Sequence, residues 1–162
     1  LHDPVSRLMT NLTVVPSSGS GPNYTALHGV DKAMGLFHHL RVVVTLQLTA
    51  PSTTPSTFSL CVQCGATDAG VQVSITAAAG GLTAHLGDEE PTPLTPPPGN
   101  VAELLLEIFS DGAVVEVFAN GGEAVATHGR SSVNEYGIGV AAAGAAPFAA
   151  TVELWHMLPS IQ

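Results

Sequence analysis

Basic residues are scarce in this chain of 162 amino acids. It carries only 4 lysines and arginines against 13 aspartates and glutamates, and its formal net charge is −9. Proteins that bind nucleic acids or anionic membrane surfaces need clustered cations to neutralise phosphate groups, so this composition excludes both kinds of partner. No apolar run approaches the roughly 20 residues that a membrane-spanning helix requires, so we predict no such helix.

Charge of either sign is also low. Charged residues make up 10% of the chain and hydrophobic residues 45%, whereas about a quarter of an average soluble domain is charged. This length predicts one domain over residues 1–162 with a sizeable core, and the apolar excess indicates a second surface buried against a partner. The chain starts at Leu1 with no initiator methionine and no signal peptide, so we expect a processed product.

Turn residues divide the second half of the chain into short apolar runs. Asp111-Gly112 and Asn120-Gly121-Gly122 separate three runs between residues 103 and 127, and such residues favour hairpins because they tolerate positive φ. If Asp111 and Gly112 form a two-residue loop, alternation predicts one wholly apolar face and one mixed face. The apolar face holds Leu104, Leu106, Ile108, Val115, Val117 and Ala119, and the mixed face holds Leu105, Glu107, Phe109, Val114, Glu116 and Phe118.

The same register places Glu107 directly opposite Glu116. Opposed residues have Cβ atoms about 4.5–5.5 Å apart, close to the carboxyl separation of about 5–5.5 Å in retaining glycosidases. Both glutamates lie in mid-hairpin among apolar side chains rather than on loops around a cleft. We therefore favour a structural role, in which they reach Arg41, Lys32, a partner domain or water.

The remaining pattern predicts strands and no helix. Residues 1–30 read as a linker and first strand, and residues 87–100 as a proline-rich loop, because proline lacks the donor that a central strand needs. Further strands are predicted at residues 36–49, 59–63, 71–75 and 82–86. Short strands separated by turn residues predict an all-β fold, a two-layer antiparallel β-sandwich.

Candidate chemical sites are few. Cys61 and Cys64 have C-x-x-C spacing but lie in an apparent strand, where residues three apart point to opposite faces. We favour one buried cysteine and one at the strand end; a disulfide through a tight turn and half of a zinc site are the alternatives. The acidic run at residues 88–90 reads as an exposed loop rather than a calcium site. We assign no catalytic, cofactor-binding or metal-binding residue.

Two sequons lie near the start of the chain. Asn11-Leu12-Thr13 and Asn23-Tyr24-Thr25 match the acceptor pattern for N-linked glycans. Both fall close to serine, glycine and proline residues, which is typical of an exposed segment. They predict glycosylation at Asn11 and Asn23 and a location in the secretory pathway or outside the cell.

The run L-E-I-F-S-D-G-A-V-V-E-V-F-A-N-G-G-E resembles a strand–turn–strand motif of one known family. This motif occurs in the C-terminal β-sandwich of glycoside hydrolase family 32, which includes invertases, inulinases and levanases. Asp111, Glu116, Phe118 and Asn120 fall on the family pattern, and the final run V-E-L-W-H-M-L-P-S-I, which contains Trp155, resembles its last strand. We expect structural roles for these residues, with Trp155 anchoring a core or an interface.

The resemblance implies that the chemistry belongs elsewhere. In this family an N-terminal five-bladed propeller carries the catalytic residues, in W-M-N-D-P-N-G, R-D-P and E-C motifs, and none of these motifs occurs here. The implied function is a non-catalytic accessory domain of a β-fructosidase acting on sucrose or fructans, which supports the propeller's stability, cleft shape or oligomerisation. The alternatives are a stand-alone carbohydrate-binding module and a structural or oligomerisation domain of another secreted protein.

Overall fold

The computed structural model describes residues 4–18, 23–27, 39–48, 53–65, 69–96, 102–130 and 137–157. These residues form strands and turns, and within them no helix is long and apolar enough to cross a membrane. The strands are β1 (Pro4–Val14), β2 (Thr25–Ala26), β3 (His39–Leu48), β4 (Ser56–Cys64), β5 (Val71–Ala78), β6 (Gly81–Leu86), β7 (Thr92–Leu94), β8 (Ala102–Asp111), β9 (Val114–Ala119), β10 (Ala124–Gly129), β11 (Gly137–Gly144) and β12 (Phe148–Met157).

The strands form two six-stranded sheets. Sheet I has the order β1-β12-β3-β8-β9-β10, and sheet II has the order β2-β11-β4-β5-β6-β7. Neighbouring strands within each sheet pair antiparallel. The predicted all-β sandwich is therefore confirmed.

Alternation along the strands builds one hydrophobic core between the sheets. In β3, Leu40, Val42, Val44 and Leu46 are buried, and the residues between them face outward. Each buried position has an aliphatic side chain, which fits the pleated interior of a sandwich. The predicted strand at residues 36–49 is thus present, although residues 36–38 and 49 lie outside the described part of the chain.

The hairpin between β8 and β9 keeps its predicted faces but has a different turn. Leu106, Ile108, Val115 and Val117 are fully buried, as predicted. The loop, however, consists of Gly112 and Ala113, because Asp111 pairs with Val114. Gly112 has a φ of 55° and Ala113 is not among the positive-φ residues, so glycine supplies the left-handed position that a two-residue hairpin loop needs at its start.

This turn overturns the predicted pairing of the two glutamates. Glu107 lies opposite Phe118, and Glu116 lies opposite Phe109. The two glutamates share a face but are diagonal neighbours rather than directly opposed residues. The prediction failed because it placed the positive φ on Asp111, while the chain places it on Gly112.

Residues 1–30 contain a first strand, β1, which begins at Pro4, and the two-residue strand β2, which begins at Thr25. The prediction for residues 87–100 needs correction. The predicted loop at residues 87–100 contains strand β7, which pairs with β6 at the edge of sheet II. Pro93 is tolerated there because only one side of an edge strand has a partner. Residues 97–100 lie outside the described part of the chain.

Candidate functional site

The outer face of sheet I carries the charged and aromatic residues that the sequence singled out. Glu107 is half-buried, and its Oε1 accepts a hydrogen bond from Arg41 Nε at 2.7 Å and a second, shorter one from Arg41 Nη2. The Arg41 guanidinium lies 5.8 Å from the centre of the Phe109 ring. The Phe109 and Phe118 rings meet edge to face, with centroids 6.0 Å apart. The predicted contact between Glu107 and Arg41 is present, while Lys32 lies outside the described residues.

This ion pair gives Glu107 a structural role. Both hydrogen bonds from Arg41 end on the same Glu107 oxygen and hold the carboxylate against β3. Its diagonal neighbour Glu116 is exposed on β9. Glu107 and Glu116 therefore lack the directly opposed geometry that suggested an acid and a nucleophile.

Trp155 lies on the same outer face, next to the ion pair. It pairs with Arg41 of β3 and is partly exposed. The inward positions of β12 are taken by Val152 and Leu154, which are buried. Trp155 is therefore a residue of the sandwich surface and not of its core.

Asp111 closes the end of sheet I. Its Oδ1 lies 2.6 Å from His39 Nδ1, and the two residues are register partners at the ends of β8 and β3. The Asp111 side chain is 74% exposed. This contact ties the start of the β8–β9 turn to the neighbouring strand.

Asn120 and Glu123 tie the β9–β10 turn of sheet I to the segment after β7 of sheet II. Glu123 Oε1 accepts hydrogen bonds from Thr95 N at 2.8 Å and from Thr95 Oγ1 at 2.5 Å. Asn120 Nδ2 donates to Glu123 Oε2 at 2.5 Å and to the Thr95 carbonyl at 3.1 Å. The Thr95 hydroxyl, the Asn120 amide and the Thr95 N–H together lower the pKa of Glu123. We call these three residues the turn clamp.

Cys61 and Cys64 form a disulfide, contrary to the arrangement favoured from the sequence. Their Cα atoms are 5.9 Å apart. Gln63 has a φ of 56°, and the pairing of β4 with β11 shifts register beside it. A regular strand would send the two cysteines to opposite faces, but this irregularity brings them together. The C-x-x-C spacing allowed a disulfide, but the assumption of a regular strand through both cysteines made the disulfide the less favoured alternative.

Gln63, which the sequence did not single out, connects the two sheets. It is 1% exposed, and its Nε2 donates to Ser110 Oγ at 2.8 Å and to the Gly112 carbonyl at 2.7 Å. Arg130 Nη1 donates to the Gln63 carbonyl at 3.0 Å and to Gln63 Oε1 at 3.3 Å. The buried amide therefore fixes the disulfide-bearing end of β4 to the β8–β9 turn.

The remaining candidates do not assemble into a site. Asp88, Glu89 and Glu90 are exposed at the turn after β6. Across the residues that the structure describes, no three histidine, cysteine or carboxylate side chains come together as they would around a metal ion.

Both predicted glycosylation sites lie at the surface. Asn11 is exposed on the outer face of β1, where its Oδ1 accepts a hydrogen bond from Thr151 Oγ1 at 2.8 Å. Asn23 is exposed just before β2 and borders a cavity of about 670 Å³ at the edge between the sheets, which is lined largely by aliphatic side chains such as Leu12 and Val140. The structure thus leaves both acceptor asparagines accessible.

The geometry defines an all-β sandwich module whose two sheets are joined by a turn clamp and a buried glutamine. Residues 38–156 match the family model described as "Glycosyl hydrolases family 32 C terminal". The chain therefore belongs to the family of glycosyl hydrolase family 32 C-terminal domains. A comparison with curated protein sequences gives no match.

Several solved structures share the fold at low sequence identity. A β-fructofuranosidase from Schwanniomyces occidentalis is 13% identical with a TM-score of 0.54, covering 96% of this chain and 34% of its own. An exo-inulinase from Aspergillus awamori is 16% identical with a TM-score of 0.58, covering 96% and 29%. A fructan 1-exohydrolase IIa from Cichorium intybus is 13% identical with a TM-score of 0.59, covering 97% and 36%. This chain thus spans about a third of the length of these enzymes.

Proposed function

We propose that this chain is the accessory, non-catalytic domain of a β-fructosidase that cleaves sucrose or fructans. The observation that carries the proposal is the family match over residues 38–156, together with structural neighbours that are fructoside-cleaving enzymes about three times as long. The catalytic partner is a five-bladed propeller that precedes this domain. The sandwich stabilises that propeller, shapes its cleft or mediates oligomerisation.

The chemistry of the described residues supports a role without bond cleavage. Glu107 is engaged by Arg41, and Glu123 is engaged by Thr95 and Asn120. Carboxylates that serve as acid and nucleophile instead face each other across a substrate cleft. The acidic residues with known contacts here stabilise turns and strand pairs.

A location in the secretory pathway or outside the cell is part of the proposal. The Cys61–Cys64 disulfide supports it, because disulfides persist mainly in oxidising compartments. The exposed sequons at Asn11 and Asn23 support it as well.

The test compares this chain with a longer one. The extended protein adds the segment encoded upstream of Leu1. Both proteins are assayed for release of fructose from sucrose and from inulin. We expect hydrolysis by the extended protein and none by the 162-residue chain. Turnover by the short chain alone would contradict the proposal, as would an extended protein that leaves both fructosides intact.

A further inference from the structure

The outer face of sheet I is divided into two halves of different chemistry. In one half, neighbouring strands place Trp155 beside Arg41, Phe109 and Glu116. The next row across the strands runs from Met9 through Glu153, Val43 and Glu107 to Phe118. In the other half, the rows carry mainly polar residues around a shallow depression of about 460 Å³, with Leu105, which is 40% exposed, opposite Thr45. The aromatic half is defined by Met9, Arg41, Val43, Phe109, Phe118 and Trp155, and the polar half by Asn11, Thr45, Gln47, Glu103 and Thr151.

The aromatic half has the composition of a protein interface. Tryptophan, phenylalanine, methionine and arginine are the residues enriched in the cores of such surfaces. Met9 on this half is 57% exposed, and Val114 and Val125 at its border are 41% and 52% exposed. Arg41 is already paired with Glu107. Glu153, between Met9 and Val43, and Glu116, opposite Phe109, leave this half with excess negative charge, so a partner that covers it has to offer complementary cations.

The outer face of sheet II offers no comparable surface within the described ranges. Its outward positions on β4, β5 and β6 are mostly small hydroxyl residues, and Thr57 and Thr76 hydrogen-bond to each other at 2.9 Å. None of its large hydrophobic side chains is exposed among the residues described. Among the described residues, three of the exposed large hydrophobic side chains, Met9, Val114 and Val125, lie in or beside the aromatic half, while Leu105 lies in the polar half and Val15 just after β1.

We propose that the aromatic half is the surface on which the N-terminal catalytic domain of the same protein docks. This inference rests on the proposed function and adds which face makes the contact. The matched family comprises C-terminal domains, and the enzymes compared are about three times as long as this chain, so the rest of such a protein precedes this domain.

The entry point of the chain favours that occupant. β1 begins at Pro4, which pairs with Met157, two residues beyond Trp155 on β12. A domain that precedes β1 is thus tethered at the aromatic half. Asn11 lies further along β1 in the polar half, where a glycan can remain in solvent without obstructing the contact.

Hydroxyl-radical footprinting tests the contact residue by residue. The extended protein and the 162-residue chain are oxidised in parallel, and the oxidation rates of Met9, Trp155 and Phe118 are measured by mass spectrometry. We expect these rates to fall roughly ten-fold in the extended protein, because the core of an interface excludes water. The rate at His85, exposed on the outer face of sheet II, is expected to stay the same.

A pair of matched variants provides a second measurement. Val125→Arg places a charge beside Phe118 on sheet I, and Gln72→Arg places one at an exposed position of sheet II. In the extended protein, Val125→Arg is expected to lower the Tm by roughly 3 °C or more, since it buries an unpaired charge. Gln72→Arg is expected to leave the Tm unchanged, and neither variant is expected to destabilise the short chain.

The possible failures can be distinguished from one another. If the extended protein cleaves fructosides but Met9 and Trp155 are oxidised at equal rates in both proteins, this inference fails and the proposed function stands. Protection of these residues in the short chain that increases with its concentration would identify a second copy as the occupant and overturn the inference. If the extended protein cleaves no fructoside, the proposed function fails and this inference fails with it.

Discussion

At the scale of single residues, the turn clamp shows why an exposed glutamate matters. Glu123 accepts three hydrogen bonds, two from Thr95 and one from Asn120, and these bonds join the β9–β10 turn to the segment after β7. The sequence motif included Asn120 and Glu123 but not Thr95. Thr95 lies 28 residues before Glu123, and only the closure of the sandwich brings the two residues together.

We predict that Glu123→Gln lowers stability in a pH-dependent way. The hydrogen bonds lower the pKa of Glu123 below its ordinary value of 4.5. The ionised carboxylate therefore stabilises the folded state above about pH 4.5, and this contribution is lost as the pH falls through the lower folded-state pKa. The Tm difference between wild type and Glu123→Gln, measured from pH 7 downward, should be largest near neutrality and shrink in acid. The prediction would be contradicted by a Tm difference that does not change with pH, or by one equal to the Tm difference caused by Glu90→Gln at an exposed control position.

Gln63 is expected to be among the most sensitive polar positions. Gln63→Leu keeps most of the side-chain volume but removes the donor for Ser110 Oγ and the Gly112 carbonyl. Leaving such buried groups unpaired should cost about 2–4 kcal/mol in the free energy of unfolding. Urea denaturation measures this loss, and Gln72→Leu at an exposed position of β5 is the control. Equal unfolding midpoints for the two variants would show that the amide does not join the sheets.

At the scale of elements, the disulfide stabilises the irregular end of β4. The double variant Cys61→Ser/Cys64→Ser opens a four-residue loop, and loop-closure entropy predicts a loss of about 2 kcal/mol. Urea unfolding should show this loss in the variant and a similar one in reduced wild type. If reductant shifted the midpoint of the variant as well, the effect would not come from this disulfide.

The faces of the strands could be predicted from the sequence, but their exact pairing could not. Alternation assigned Leu106 and Val117 to the core and Phe109 to the outer face, because burial follows a period of two. The pairing of β8 with β9 depends on which turn residue adopts a positive φ, and in the structure that residue is Gly112. The turn clamp and the Gln63 contacts depend on side chains distant in sequence, so local patterns carried no signal for them.

At the scale of the whole molecule, the two exposed sequons at Asn11 and Asn23 bear on the compartment in which the protein is found. If the protein is secreted by a eukaryotic cell, we expect glycans at Asn11 and Asn23. Endoglycosidase treatment should increase the electrophoretic mobility of the purified protein. The variants Asn11→Gln and Asn23→Gln should each remove one of the two glycans. Mobility that does not change on treatment would contradict the prediction.

Strand β7 has a consequence for how the protein behaves at high concentration. Its three residues place Pro93 in the middle of the last strand of sheet II. A proline in an outermost strand cannot contribute an N–H group to a neighbouring molecule, so two copies do not readily join their sheets through β7. Pro93 thus removes a donor at one of the four outermost strands in the described residues, the others being β1, β2 and β10.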